Sequence, residues 1–119
     1  MQEPTWIAEL RVIIVHPDGR RVPGHIAVGR PYALGGADPA ASYESHCPVE
    51  ITDVHSCRHP LIGGGTLHAL LRGVEFLGVM LHEFVARGGR ILDPEDGSEV
   101  ALSVLFGPLF HAAGSHEPD

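Results

Sequence analysis

Apolar positions along the chain fall into two regimes: short alternating runs as far as residue 62, and one long helical run from Thr66 to Arg87. Wound at about 3.6 residues per turn, the long run places Leu67, Leu70, Leu71, Val74, Leu77, Leu81 and Val85 on one stripe. His68, Arg72, Glu75, His82 and Glu83 fall on the opposite side, and a second apolar seam of Ala69, Gly73, Phe76, Met80 and Phe84 lies between them. A helix on a single sheet shows an apolar arc somewhat over about 100° wide, and this one is apolar over about twice that. Something must therefore cover the second seam. Two coverings are open: the chain's own Val100 to Phe110 segment folding back, or another molecule, including a second copy paired about a two-fold axis. The first is favoured because a domain normally buries its apolar stripes against its own layers. The candidate interface is Ala69, Gly73, Phe76, Met80 and Phe84, where small residues allow close approach and Phe and Met supply adaptable apolar area.

The alternating runs read as strands. Trp6 to Val15 ends at Pro17-Asp18-Gly19, a turn built from a preset φ, a side-chain cap and a residue tolerant of positive φ, so the next strand is expected near Val22 to Gly29. Pro23-Gly24 predicts a bulge or an edge in it. Arg30 to Ser42 is the longest loop. Tyr43 to Asp53 alternates Cys47, Val49 and Ile51 with His46, Pro48 and Glu50, the pattern of a half-buried antiparallel strand, and Ser56 to Ile62 is expected to return as a fourth. Gly63-Gly64-Gly65 is a joint, Thr66 the expected helix N-cap, and Gly88-Gly89 the stop. Gly73 and Gly78 each weaken the helix by about 1 kcal/mol relative to Ala, so packing must hold it. After the acidic 93–97 turn, Val100 to Phe106 reads as a further strand.

With 119 residues the chain is expected to form one domain, with its core over about residues 5–106 and a disordered tail over 111–119. There are eight Arg and no Lys, only one Gln and no Asn, and Ala, Gly and Pro are abundant, which fits a bacterial, GC-rich coding bias. The absence of lysine excludes a Walker-type phosphate loop, Schiff-base catalysis and pyridoxal-phosphate chemistry. A net charge of -7 with scattered arginines gives no basic patch for a phosphate backbone, so no nucleic-acid binding is expected. The acidic balance suits a basic partner and also simple solubility. No apolar run approaches the roughly 18 residues of a membrane span, and the amino terminus lacks the pattern of a secretory signal, so no membrane association and a cytoplasmic location are expected. Cys47 and Cys57 are then reduced thiols, with a disulfide only if their strands bring them face to face.

Ile7-Ala8-Glu9-Leu10, Gly29-Arg30-Pro31, Cys47-Pro48-Val49-Glu50-Ile51, and Gly65 with Ala69-Leu70 carry a resemblance over about residues 6–87. The layout resembles a family of small uncharacterised bacterial proteins, a domain of unknown function. Thr66 and His68 stand where that family's pattern has Asp and Gln near the helix start. The resemblance implies an antiparallel sheet packed on a helix, and it implies no activity.

Three candidate sites follow from residue chemistry. His55, Cys57 and His59 share alternate positions, and with His46-Cys47 on a neighbouring strand they are candidate zinc ligands, although the paired short-spaced knuckles of structural zinc sites are missing. Gly63-Gly64-Gly65-Thr66 opens a helix and offers amides to an anion, but it lacks the flanking pattern of a dinucleotide site. His68 and His82 with Glu75 and Glu83 form a polar helix face, yet the two histidines lie roughly 21 Å apart on a helix and cannot share one ion. No serine sits in a nucleophile elbow and neither cysteine has a local catalytic signature.

The reading is an α+β domain, an antiparallel sheet of four or five strands with one long helix packed across one face. The function expected is a non-catalytic protein-binding module, immunity-like or chaperone-like, with no cofactor; catalysis has no support in the residues. Two readings stand beside it: a metal-binding protein using His46, His55, Cys57 and His59, and a structural homodimer.

Overall fold

The computed structural model describes residues 5–34, 44–54 and 60–107. Strands β1 (Trp6–Val15) and β2 (Arg21–Gly29) form a long antiparallel hairpin. Its turn is closed by His16 N–H to Arg20 O (2.8 Å) and by the Asp18 carboxylate accepting the Arg20 amide (2.9 Å), with Gly19 at φ 93°. The alternation expected of this hairpin is observed: Val12, Ile14, Ile26 and Val28 are buried on one face, while Glu9, Arg11 and His25 lie on the other. β5 (Val49–Ile51) pairs with β2, and β7 (Arg90–Leu92) pairs with β1, giving a four-stranded antiparallel sheet in the order β5-β2-β1-β7.

A second antiparallel sheet, β3-β4-β6, consists of β3 (Tyr32–Ala33), β4 (Ser45–Cys47) and β6 (Leu61–Gly63). The single strand expected over Tyr43 to Asp53 is thus divided between two sheets. The division falls at Pro48, which has no N–H to give a ladder; its carbonyl accepts the Gly29 amide at 2.7 Å. The alternation runs through the break, with Ser45, Cys47 and Ile51 all buried. The irregularity expected at Pro23-Gly24 takes the form of an edge: β5 pairs only with Ile26 to Val28, so among the described residues no strand flanks Pro23 on that side, and the register shift of the hairpin lies instead between Trp6 and Ala8.

Helix α1 (Thr66–Ala86) crosses both sheets, touching β4 and β6 of the smaller and β2, β5 and β7 of the larger. Gly65, not Thr66, is the N-cap, and Thr66 is the first helical residue. The helix ends in a Schellman arrangement, with Gly89 N–H to Phe84 O (3.0 Å), Gly88 N–H to Val85 O (3.0 Å) and Gly88 at φ 103°. Close approach at Gly73 explains a glycine inside a helix: a Cβ there would lie 3.1 Å from both Cys47 Sγ and Val49 Cγ1. The core joins Val12, Ile14, Ile26, Val28, Cys47 and Ile51 of the sheets to Ala69, Leu77 and Leu81 of the helix, with Ile91 and Leu102 closing it. Fully buried side chains such as Ile14 and Leu81 each contribute about 1.5–3 kcal/mol of transfer free energy.

The strand expected over Val100 to Phe106 is not formed. Glu99 makes an isolated bridge to Leu92, Val100 N–H donates to Ile91 O (2.8 Å), and residues 102–107 turn helical. In this helical turn Leu102 is buried and Phe106, one turn on, packs against the same core. Among the described residues no helix is long and apolar enough to cross a membrane.

Candidate functional site

The helix seam singled out as a candidate interface packs on the chain's own sheets. Ala69 and Gly73 are buried, and Phe76, Met80 and Phe84 are half-buried against the core. The apolar surface left outward belongs to the other stripe, where Leu67 is 68% exposed, Leu71 56% and Val74 37%. Leu77 and Leu81 of that stripe turn in, so the helix rests on the arc from Phe76 through Gly73 to Leu81. Helical periodicity showed that the helix is apolar well beyond one face, but the buried arc cuts across the two seams, taking Leu77 and Leu81 from the first with Ala69 and Gly73 from the second. Gly73 and Ala69 set this arc, because only the small-residue side lets the helix come close to Cys47 and Val49.

Toward its carboxyl end the helix meets the chain's own segment after residue 100. His82 Nδ1 lies 2.9 Å from Gly78 O, and the His82 ring meets Phe106 with centroids 6.4 Å apart. An open depression lies here between the helix and residues 99–103, with His82, Arg90 and Glu99 on its walls. Arg90 Nε donates to Glu99 Oε2 at 3.0 Å, so its charged groups answer each other. The segment after residue 100 thus joins the core beside the second seam, Val100, Leu102 and Phe106 packing with Phe76, Met80 and Phe84, while Leu67, Leu71, Val74, Val79 and Val85 are exposed.

The zinc candidates are only partly described. His46 lies on β4 with Nε2 2.7 Å from Glu44 Oε2 and its ring beside Tyr32, whereas His55, Cys57 and His59 fall outside the described residues. The adjacent Cys47 points to the opposite face, into the core, where its Sγ donates to Gly29 O at 3.4 Å. Burial pushes the Cys47 thiol pKa above its ordinary value. Its pairing with Cys57 also lies outside the described residues. Among the described residues no group of three His, Cys, Asp or Glu side chains is arranged to hold a metal.

The glycine joint does not present a bare set of amides. Gly64 N–H donates to His68 Nδ1 at 2.8 Å, so a side chain from the first helical turn reaches back and ties the joint down. It does the work of a capping box with an imidazole in place of the usual carboxylate or amide. His68, His82 and Glu83 are each engaged locally, the last with Arg87 at 3.1 Å, and no shared acid–base face results.

Two ionic clusters escaped the reading of the sequence. Asp53, at a positive φ of 63°, accepts from Arg20 (3.2 Å) and lies 3.0 Å from His16 Nε2, and the His16 ring stands edge-on to Phe84. On the sheet face away from the helix, His25 is flanked by Glu9 Oε1 at 2.6 Å and Glu50 Oε1 at 2.8 Å, with Trp6 edge-on at 6.0 Å. Both ring nitrogens of His25 are taken up by carboxylates, which leaves neither to draw a proton from a nucleophile. The only signal in the sequence was the outward parity of Glu9, His25 and Glu50; their convergence depends on strand order and register, which no local pattern states.

No family model matches the chain, and no curated protein or solved structure is significantly similar to it.

Proposed function

We propose that the protein is a non-catalytic protein-binding module that docks a basic protein through the outward helix seam of Leu67, Leu71 and Val74. The observation that carries this reading is the exposure of large aliphatic side chains on one stripe of a helix whose other arc packs on the core. Scattered apolar residues on a surface need no explanation, but a contiguous stripe on a rigid element is the usual form of a helix-in-groove contact. The net charge of -7 favours a basic partner over a second copy, because two such chains repel each other as they approach.

The test compares wild type with Leu71→Glu and Phe76→Glu in pull-downs at low and high salt, alongside native mass spectrometry and thermal melting. A stoichiometric basic partner, released by Leu71→Glu and weakened by salt while the melting temperature holds, supports the reading. A wild-type dimer that Leu71→Glu dissociates would replace it with self-association, and a captured set unchanged by Leu71→Glu would reject the seam. Phe76→Glu should instead destabilise the fold, because it introduces a charge into the helix–sheet contact.

A further inference from the structure

His25 links three strands. Its Nε2 lies 2.6 Å from Glu9 on β1, its Nδ1 lies 2.8 Å from Glu50 on β5, and its own backbone belongs to β2 between them. An ionised carboxylate only accepts hydrogen bonds, so each contact requires an N–H on the ring. Neutral imidazole has one N–H and imidazolium has two, so only the imidazolium form can donate to both carboxylates while both are ionised. The ring side chain is only 14% exposed, under the edge of Trp6, while the carboxylates remain open to water. Arg11 is the cross-strand partner of His25 on β1, and the helix packs on the other face of the sheet.

Among the described residues β5 is an outer strand of three residues, paired on one side only. Beyond the ladder it is tied by Thr52, whose amide donates to His25 O (3.1 Å) and whose Oγ1 accepts the His25 amide (3.0 Å), and by the Pro48 carbonyl on Gly29. β5 runs through Pro48 directly into β4, so whatever fastens β5 also fixes where the second sheet departs from the first. We propose that His25 is a proton-operated latch on β5. With two ring protons it clamps Glu50 to Glu9 across the sheet. When the ring gives one proton to solvent, a lone pair faces a carboxylate, the longer Glu50 contact opens, and β5 and the Pro48 junction loosen.

The test is performed on the intact protein by NMR at about pH 5 and about pH 8, a range over which histidine normally changes charge. Long-range proton–nitrogen spectra report whether one or both ring nitrogens of His25 carry a proton. Amide exchange, corrected for its intrinsic pH dependence, reports the protection of Glu50 and Thr52, whose amides face β2, with Leu92 on β7 as internal reference. The expected result is both nitrogens protonated at the lower pH and a several-fold loss of β5 protection, relative to Leu92, at the higher one. In Glu50→Gln the pH dependence of β5 should vanish, because the amide pairs with either form of the ring. A singly protonated His25 at the lower pH, β5 protection that does not change with pH, or a pH dependence that survives Glu50→Gln would each overturn the latch. The wild-type ring spectrum decides the matter even where the variant fails to fold.

Discussion

Gly73 sits directly over Cys47: a Cβ built on the glycine would lie 3.1 Å from the cysteine sulfur and equally close to Val49 Cγ1. The helix therefore rests on the junction between the two sheets through backbone, not through a side chain. Gly73→Ala sets a gain of about 1 kcal/mol in helix propensity against a displacement of both neighbours by a few tenths of an ångström, and should leave stability nearly unchanged. Gly73→Leu cannot be accommodated and should cost about 1–3 kcal/mol by overpacking. Urea unfolding midpoints measure both, and a fully stable Gly73→Leu would show that the helix stands off the sheet.

The same contact governs the chemistry of Cys47. Because burial raises the thiol above its ordinary value of 9.0, the native protein should label with a thiol reagent at this position only as fast as it opens, and at once in denaturant. The sign for stability follows. The unfolded chain loses this proton at lower pH than the folded one, so stability is level well below the ordinary value of 9.0 and falls as pH rises through it. Fast native labelling of Cys47, located by peptide mass, would contradict this.

His68 ties the glycine joint to the helix through the Gly64 amide. Its removal in His68→Ala should cost about 1 kcal/mol, as loss of a helix cap does. His68→Gln, which keeps an acceptor, should recover part of that. Equal stability of all three proteins in urea would assign the joint's order to packing alone.

Asp96 is held below its ordinary carboxyl value of 3.8, first by the Ser98 backbone amide and then by the Ser98 hydroxyl, which lie 2.9 and 2.7 Å from Oδ1. A depressed carboxyl favours the folded turn above the unfolded value and loses that preference as pH falls through the folded one. Carbon-detected titration should place the Asp96 midpoint below 3.8. Ser98→Ala should raise it only in part, because the amide remains.

Local patterns in the sequence determined the hairpin of β1 and β2, the extent of the long helix and its glycine stop, and the inward parity of Cys47 and Ile51, because each depends on residues within a few positions of one another. They also established that the helix is apolar well beyond one face. Tertiary structure alone decided which arc turns inward, since that depends on the fit of Gly73 over Cys47, residues 26 positions apart along the chain. It also divided one apparent strand into two sheets at Pro48 and made a helical turn of residues 102–107, where contact with the core outweighed a strand-like composition. The clusters of His16 with Asp53 and of His25 with Glu9 and Glu50 are products of strand order and register. The energy that sets these is summed over the whole sheet and is not carried by any local motif.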